Sequence, residues 1–149
     1  MTEFRRVLFR SPHRSAKLPH LDGWNARRRE IASAYSAALA GQAVECPRDF
    51  GESYVAHLYV IRSPERDRVR AALSSCGIAT DIHYPVPDHL QEAARGAHGT
   101  TLAARAQLAA TEQAAGEILT LPCYAELADD EVSAVVGALQ AIPQEARVG

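Results

Sequence analysis

Proline and glycine punctuate this chain so closely that every β-strand in it must be short. Eight prolines and nine glycines are spread over 149 residues, and many close the runs that favour extended backbone. Tyr54 to Ile61 is rich in β-branched and aromatic residues and apolar on both faces, as for a buried strand. Ser63-Pro64 follows as a helix cap and a first helical residue. Val69, Ala72, Leu73 and Cys76 then share the inner face of a helix that Gly77 ends. A second strand, Ile78 to Tyr84, is stopped by Pro85 and Pro87, and a third, Ile118 to Leu121, by Pro122.

Longer helices frame this strand–helix–strand unit. From Pro19 to Gly41 the residues Leu21, Trp24, Arg28, Ile31, Tyr35 and Ala38 form one stripe at helical spacing, with Arg28 its only polar member. The Arg27-Arg28-Arg29 run reads as a solvated face whose stems pack along the helix. Residues 42–52 read as a loop, and 88–117 as an alanine-rich, weakly helical stretch broken near Gly96 and Gly99. A last amphipathic helix runs from Asp129 to Ala141 on Val132, Val135, Val136 and Leu139. The pattern predicts an α+β fold: a three-stranded sheet with helices packed on one face, its third strand able to slot between the first two.

Composition removes several classes of function. With 47% apolar and 23% charged residues the chain is not a disordered one, and no stretch approaches the ~20 apolar residues of a membrane span. A formal net charge of −2 argues against bulk nucleic-acid binding. Cys46, Cys76 and Cys123 form no CxxC pair and no even set, so neither a disulfide framework nor a zinc site is expected and a reducing cytoplasm is the default. Cys76 and Cys123 read as small buried apolar residues, and His57 as a hydrogen-bonded core histidine. No dinucleotide-binding glycine motif, P-loop, HExxH or GxSxG is present. His83 and His89 lie near Asp81 and Asp88, but no third ligand is placed, so no metal is expected.

One stretch is built for a ligand: Ile82-His83-Tyr84-Pro85-Val86-Pro87-Asp88-His89-Leu90-Gln91. Two prolines stiffen it at a strand end, so His83, Tyr84 and His89 would lose little entropy on binding. Histidine and tyrosine tips suit hydroxyl and phosphate oxygens, and their rings stack on flat or apolar faces. The same features would also serve a rigid connector whose aromatic rings plug the core.

These residues resemble a known family. Lys17 to Arg28 is similar to the entry helix of the small domain in the DegT/DnrJ/StrS sugar aminotransferases. His57 to Arg62, Arg66-Asp67, and Gly77 through Gln91 resemble that family's strand–helix–strand and its HYPxPxHLQ loop, and Leu119 to Tyr124 with Asp129 to Val132 resemble its closing strand and helix. The resemblance covers about residues 16–141 in order. It implies the small C-terminal domain of the aspartate-aminotransferase fold (fold type I), in a homodimeric enzyme that uses pyridoxal 5'-phosphate. Such an enzyme moves an amino group, commonly from glutamate, onto a nucleotide-linked keto sugar. It also implies that His83, Tyr84 and His89 approach the sugar nucleotide. No residue present matches the family's catalytic lysine or its cofactor grip, and Lys17 matches the entry helix instead. No cofactor is therefore expected on this chain alone. Asp88, Ala128 and Glu92-Ala93-Ala94 depart from the family's usual residues, and Ala128 lacks the usual helix cap, a loss of ~1 kcal/mol unless Asp129 replaces it. In such a domain the Leu21–Trp24–Ile31–Tyr35 stripe should be partly exposed as an apolar patch where a larger domain would press.

The segment Arg5-Arg6-Val7-Leu8-Phe9-Arg10-Ser11 resembles the translation of a common sequencing-library adapter. The expected division is therefore an adapter-derived 1–11, a connector 12–18, the small domain 19–142 and a tail 143–149. Two functional readings follow: a severed piece of a sugar aminotransferase, or a free-standing, non-catalytic module for sugar-nucleotide binding or dimerisation. If residues 1–11 were never selected to pack, deleting them should change unfolding free energy by less than about 1 kcal/mol in urea titrations. A larger loss would make them part of the fold.

Overall fold

A 3-10 turn at Leu18–His20, holding Pro19, leads into helix α1 (Leu21–Ala38). The computed structural model describes residues 16–48, 51–92 and 108–142; the segment 1–11, the tail 143–149, and Gly96 and Gly99 lie outside the described residues. The apolar stripe of α1 divides as it runs. Ile31, Ala32, Tyr35 and Ala38 are buried by the chain itself, whereas Leu18 and Leu21 stand exposed and Trp24 is half-covered. The arginine run does more than face solvent. Arg27 donates to the Leu127 carbonyl at 3.0 Å and pairs with Asp129, while Arg28 donates to the Val55 carbonyl at 3.0 Å and to the Asn25 side chain. The helix ends before Gly41, whose φ of +79° is a backbone state that a side chain disfavours.

Strand β1 (Tyr59–Arg62) is half the length expected for Tyr54–Ile61. Ala56 adopts a positive φ of 45° and bends the chain, so the residues before Leu58 have no ladder to join. His57 falls in this bend and is exposed; it is not a core histidine. Ser63 is buried, and its Oγ accepts the Glu65 N–H at 3.2 Å while its carbonyl accepts the Arg66 N–H at 3.1 Å. That turn delays helix α2 to Arg66–Ser75. Val69 and Leu73 face inward, and the Ile78 N–H returns to the Leu73 carbonyl at 3.0 Å around Gly77 (φ +75°). Cys76 lies on the outside of this closing turn and is exposed, contrary to its expected burial. Helix α3 (Ala109–Glu117) runs straight into strand β2 (Ile118–Leu121), and helix α4 (Asp129–Gln140) closes the described chain.

The fold is α+β, but among the described residues its sheet has two strands where three were expected. β1 and β2 are antiparallel, with Tyr59 opposite Leu121 and Ile61 opposite Leu119. The stretch Ile78 to Tyr84 contributes one bridge, Asp81 to Thr120, on the far side of β2. Pairing cannot spread from it. The next partner in one direction is Pro122, which has no N–H, and in the other Ile118, whose N–H already caps α3 on the Ala114 carbonyl. Glu45 bridges Arg62 on the outer edge of β1.

The core lies where Tyr59, Ile61, Leu119 and Leu121 meet the buried faces of the helices: Ile31 and Tyr35 from α1, Leu73 from α2, Val135 and Leu139 from α4. Tyr35 and Tyr59 pack edge to face with centroids 5.4 Å apart. Each phenol has a partner: Tyr35 donates to the Pro122 carbonyl at 3.0 Å, and Tyr59 meets Ser36 Oγ at 2.7 Å. The α4 N-terminus compensates for Ala128 in a different way from that expected. Asp129 is taken by Arg27, so Glu131 reaches back to the Ala128 N–H at 2.9 Å, and Asp130 accepts the Glu131 N–H at 3.0 Å.

Leu139 is fully buried, so Leu139→Ala should cost about 2–5 kcal/mol in urea unfolding. Alkali should weaken the fold as well. Burial pushes the Cys123 thiol up to about 11 and raises both Tyr35 and Tyr59 above the usual phenol range. These groups stay protonated in the folded chain after their unfolded counterparts have ionised. Stability should therefore be whole below about pH 9 and fall as pH rises toward 11. A melting temperature that stays level across that interval would contradict this.

Candidate functional site

The Asp81–Thr120 bridge anchors the loop that follows it. The Thr120 N–H donates to the Asp81 carbonyl at 2.7 Å, and the Asp81 N–H returns the bond at 3.1 Å. Asp81 Oδ1 then accepts the Ile82 N–H at 2.7 Å, which fixes the carboxylate against its own backbone. His83, half-buried, places Nδ1 3.0 Å from Thr120 Oγ1 and Nε2 3.8 Å from Asp81 Oδ2. The His83–Tyr84 peptide is cis, and the two rings meet edge to face at 5.4 Å. Tyr84 is 71% exposed.

Beyond Pro85, the chain is pinned again by a 3-10 turn, Asp88–Leu90. The Leu90 N–H donates to the Pro87 carbonyl at 2.9 Å. Gln91 Nε2 lies 3.3 Å from Asp88 Oδ1 and 3.4 Å from the Val86 carbonyl, so the unusual acid at position 88 serves to brace the loop. His89 is only 7% exposed, and its Nε2 lies 3.1 Å from Glu112 Oε1 on α3.

Two open cavities flank the loop. One, about 390 Å³, is lined by His57, Thr80, Asp81, His83, Thr120 and Tyr124 among others. The other, about 670 Å³, is lined by Tyr84, Val86, Pro87, His89, Leu108 and Ile118 among others. The three expected site residues therefore do not converge on one cavity. His83 faces the first, Tyr84 and His89 face the second, and the edge-to-face ring contact joins the two sides. Cys123 also lines the first cavity, but burial keeps its thiol protonated at neutral pH and its Sγ lies 3.6 Å from the Arg28 carbonyl. It is not poised as a nucleophile.

Sequence reasoning missed Thr120, Glu112 and the placement of His57. Thr120 carried a usable signal, as the one polar residue in Ile118-Leu119-Thr120-Leu121; a hydroxyl buried there needs a partner. Glu112 and His57 carried none, because their positions depend on how α3 and the Ala56 bend meet the loop. Among the described residues no three His, Cys, Asp or Glu side chains gather as a metal would require, and no helix is long and apolar enough to cross a membrane.

Comparison with known proteins gives a consistent result. The family model described as the DegT/DnrJ/EryC1/StrS aminotransferase family matches residues 13–140. A pleiotropic regulatory protein of Geobacillus stearothermophilus is 39% identical over 82% of this chain and 33% of its own length. A dTDP-3-amino-3,4,6-trideoxy-alpha-D-glucose transaminase of Streptomyces venezuelae is 34% identical over 83% of this chain and 32% of its own. Among solved structures, S. venezuelae DesV in complex with a ketimine intermediate superposes with a TM-score of 0.74 at 34% identity, over 85% of this chain and 33% of that one. The chain thus spans about a third of the length of the relatives it matches.

Proposed function

The chain belongs to the DegT/DnrJ/EryC1/StrS aminotransferase family, and from that premise we propose that it is the small C-terminal domain of an enzyme that aminates a nucleotide-linked keto sugar. Residues 19–142 form that domain, 12–18 connect to it, 143–149 trail it, and 1–11 take no part. The whole enzyme is a cytoplasmic homodimer that takes its amino group from glutamate. The observation that carries this reading is the braced His83–Tyr84 corner, set between two open cavities in the stretch that resembles the family's loop.

Each residue has a distinct part in the proposal. Tyr84 offers an exposed aromatic face for the flat or apolar side of the ligand. His83 offers a ring nitrogen to a ligand oxygen. His89, engaged by Glu112, contacts the ligand through its ring edge and holds the loop to α3.

Pyridoxal phosphate would supply the electrophilic aldehyde and electron sink of an amino transfer. The residues present do not fit it. The chain's one lysine, Lys17, is exposed on the approach to α1 and lines neither cavity. Nor, among the described residues, does either cavity carry an arginine that would hold a phosphate. The cofactor therefore belongs to the other two thirds of the enzyme.

Titration of the 149-residue chain with dTDP-glucose, followed by NMR, should shift the Tyr84 ring and His83 imidazole signals. Tyr84→Ala should weaken binding about threefold to tenfold. Added pyridoxal phosphate should give no stoichiometric visible band and no transamination. Unshifted loop signals at saturation would refute the site, and a stoichiometric band abolished by Lys17→Ala would refute the division of labour.

A further inference from the structure

We propose that Thr120 is a positioning residue that fixes the His83 imidazole with Nε2 turned toward Asp81, so that His83 and Asp81 together bind a hydroxyl of the sugar. This rests on the reading that the loop contacts a nucleotide sugar. It adds which part of that ligand is recognised, and how.

Thr120 is itself immobilised. Its side chain is buried, and its backbone N–H and carbonyl are both held by Asp81, so Oγ1 is delivered to His83 by the sheet rather than by a flexible loop. With Nδ1 3.0 Å from Oγ1 and Nε2 3.8 Å from the Asp81 carboxylate, the two ends of the ring see different neighbours. A carboxylate near Nε2 favours a proton there, and Nδ1 then accepts the Thr120 hydroxyl. The ring is aimed, with an N–H donor beside a carboxylate acceptor.

The 3.8 Å gap between Nε2 and Oδ2 is too long for a direct hydrogen bond. One oxygen can bridge it, accepting from Nε2–H while donating its own proton to Asp81. A hydroxyl can do both; a phosphate cannot, since it has no proton to give and would meet the Asp81 charge. Among the described residues the lining of this cavity includes no lysine or arginine to offset that repulsion. The chemistry selects the sugar ring over the pyrophosphate.

Long-range ¹H–¹⁵N correlation on the ligand-free 149-residue chain tests the positioning directly, with His83 identified by the loss of its signals in His83→Gln. Wild type and Thr120→Ser should both show Nε2 protonated and Nδ1 bare. Thr120→Val should give averaged shifts of mixed tautomers at an unchanged circular dichroism spectrum. The same tautomer in folded Thr120→Val, or a protonated Nδ1 in wild type, would overturn the proposal. If Thr120→Val does not fold, Asp81→Asn, at an exposed position, takes its place: averaged tautomers support the pair, and unchanged shifts overturn it.

The ligand arm compares dTDP-glucose with dTDP. The sugar nucleotide should move the His83 signals and dTDP should not. Affinity for dTDP-glucose should fall about tenfold in Thr120→Val and return in Thr120→Ser. Equal shifts with dTDP would overturn the hydroxyl assignment. No response to either ligand, with the tautomers as expected, would refute the loop as a sugar-nucleotide contact while leaving the positioning intact.

Discussion

The four-residue strand Ile118 to Leu121 is paired along its whole length with β1 on one edge and, through Thr120 alone, with Asp81 on the other. In an antiparallel strand the backbone groups of successive residues point to alternate edges. Leu119 and Leu121 accordingly turn toward β1, and Thr120 turns to Asp81. Side chains alternate as well. Leu119 and Leu121 enter the helical core, while Thr120 emerges on the opposite face, beneath His83. One short strand thus joins the core to the site, and a shift of its register by one residue would put a hydroxyl into the core and a leucine under the imidazole.

Because the sheet is so small, its ends are secured by side chains. Arg62 Nε binds Glu117 at 2.6 Å, and hydrogen bonds from Gln113 and Arg62 hold the Glu117 carboxyl below the usual carboxylate range. The Glu117 carbonyl accepts the Ser63 N–H at 2.9 Å, and Arg66 reaches the Ala115 carbonyl at 3.2 Å. These bonds tie the start of α2 to the end of α3, where a longer sheet would have used ladder hydrogen bonds. The same economy holds at the other end of the core, where Arg27 joins α1 to the start of α4.

Elements with strong periodicity were legible in the sequence. Helix α4 falls at Asp129–Gln140 against an expected Asp129–Ala141, because Val132, Val135, Val136 and Leu139 leave one face to bury. β2 was expected at its observed bounds, since Pro122 cannot extend the ladder. Tyr54 to Leu58 was misread as strand because it has strand composition but no neighbour; β-propensity describes a surface that fits a sheet, and here the sheet is absent. The same holds for Ile78 to Tyr84, which has one available pairing position. At the candidate site, the proline-stiffened loop stood out in the sequence, but its division between two cavities did not. That division depends on the single Asp81–Thr120 bridge, which couples residues 39 positions apart.

The placement of the described arginines bears on the proposal that the loop contacts a sugar. The chain holds fifteen arginines, enough in principle for a phosphate grip. Yet Arg27, Arg28, Arg62 and Arg66 all engage backbone carbonyls or side chains that tie one segment to another. Among the described residues neither cavity beside the loop has an arginine in its lining, and each includes an aspartate, Asp81 in one and Asp88 in the other. A dianionic pyrophosphate pressed against such walls would lose solvation without gaining a cation. A sugar ring would lose less, because hydroxyls bridge donors and acceptors and its apolar face can cover Tyr84. On the proposed reading, cations for the phosphates would come from outside these walls, and the loop would read the shape and hydroxyls of the sugar.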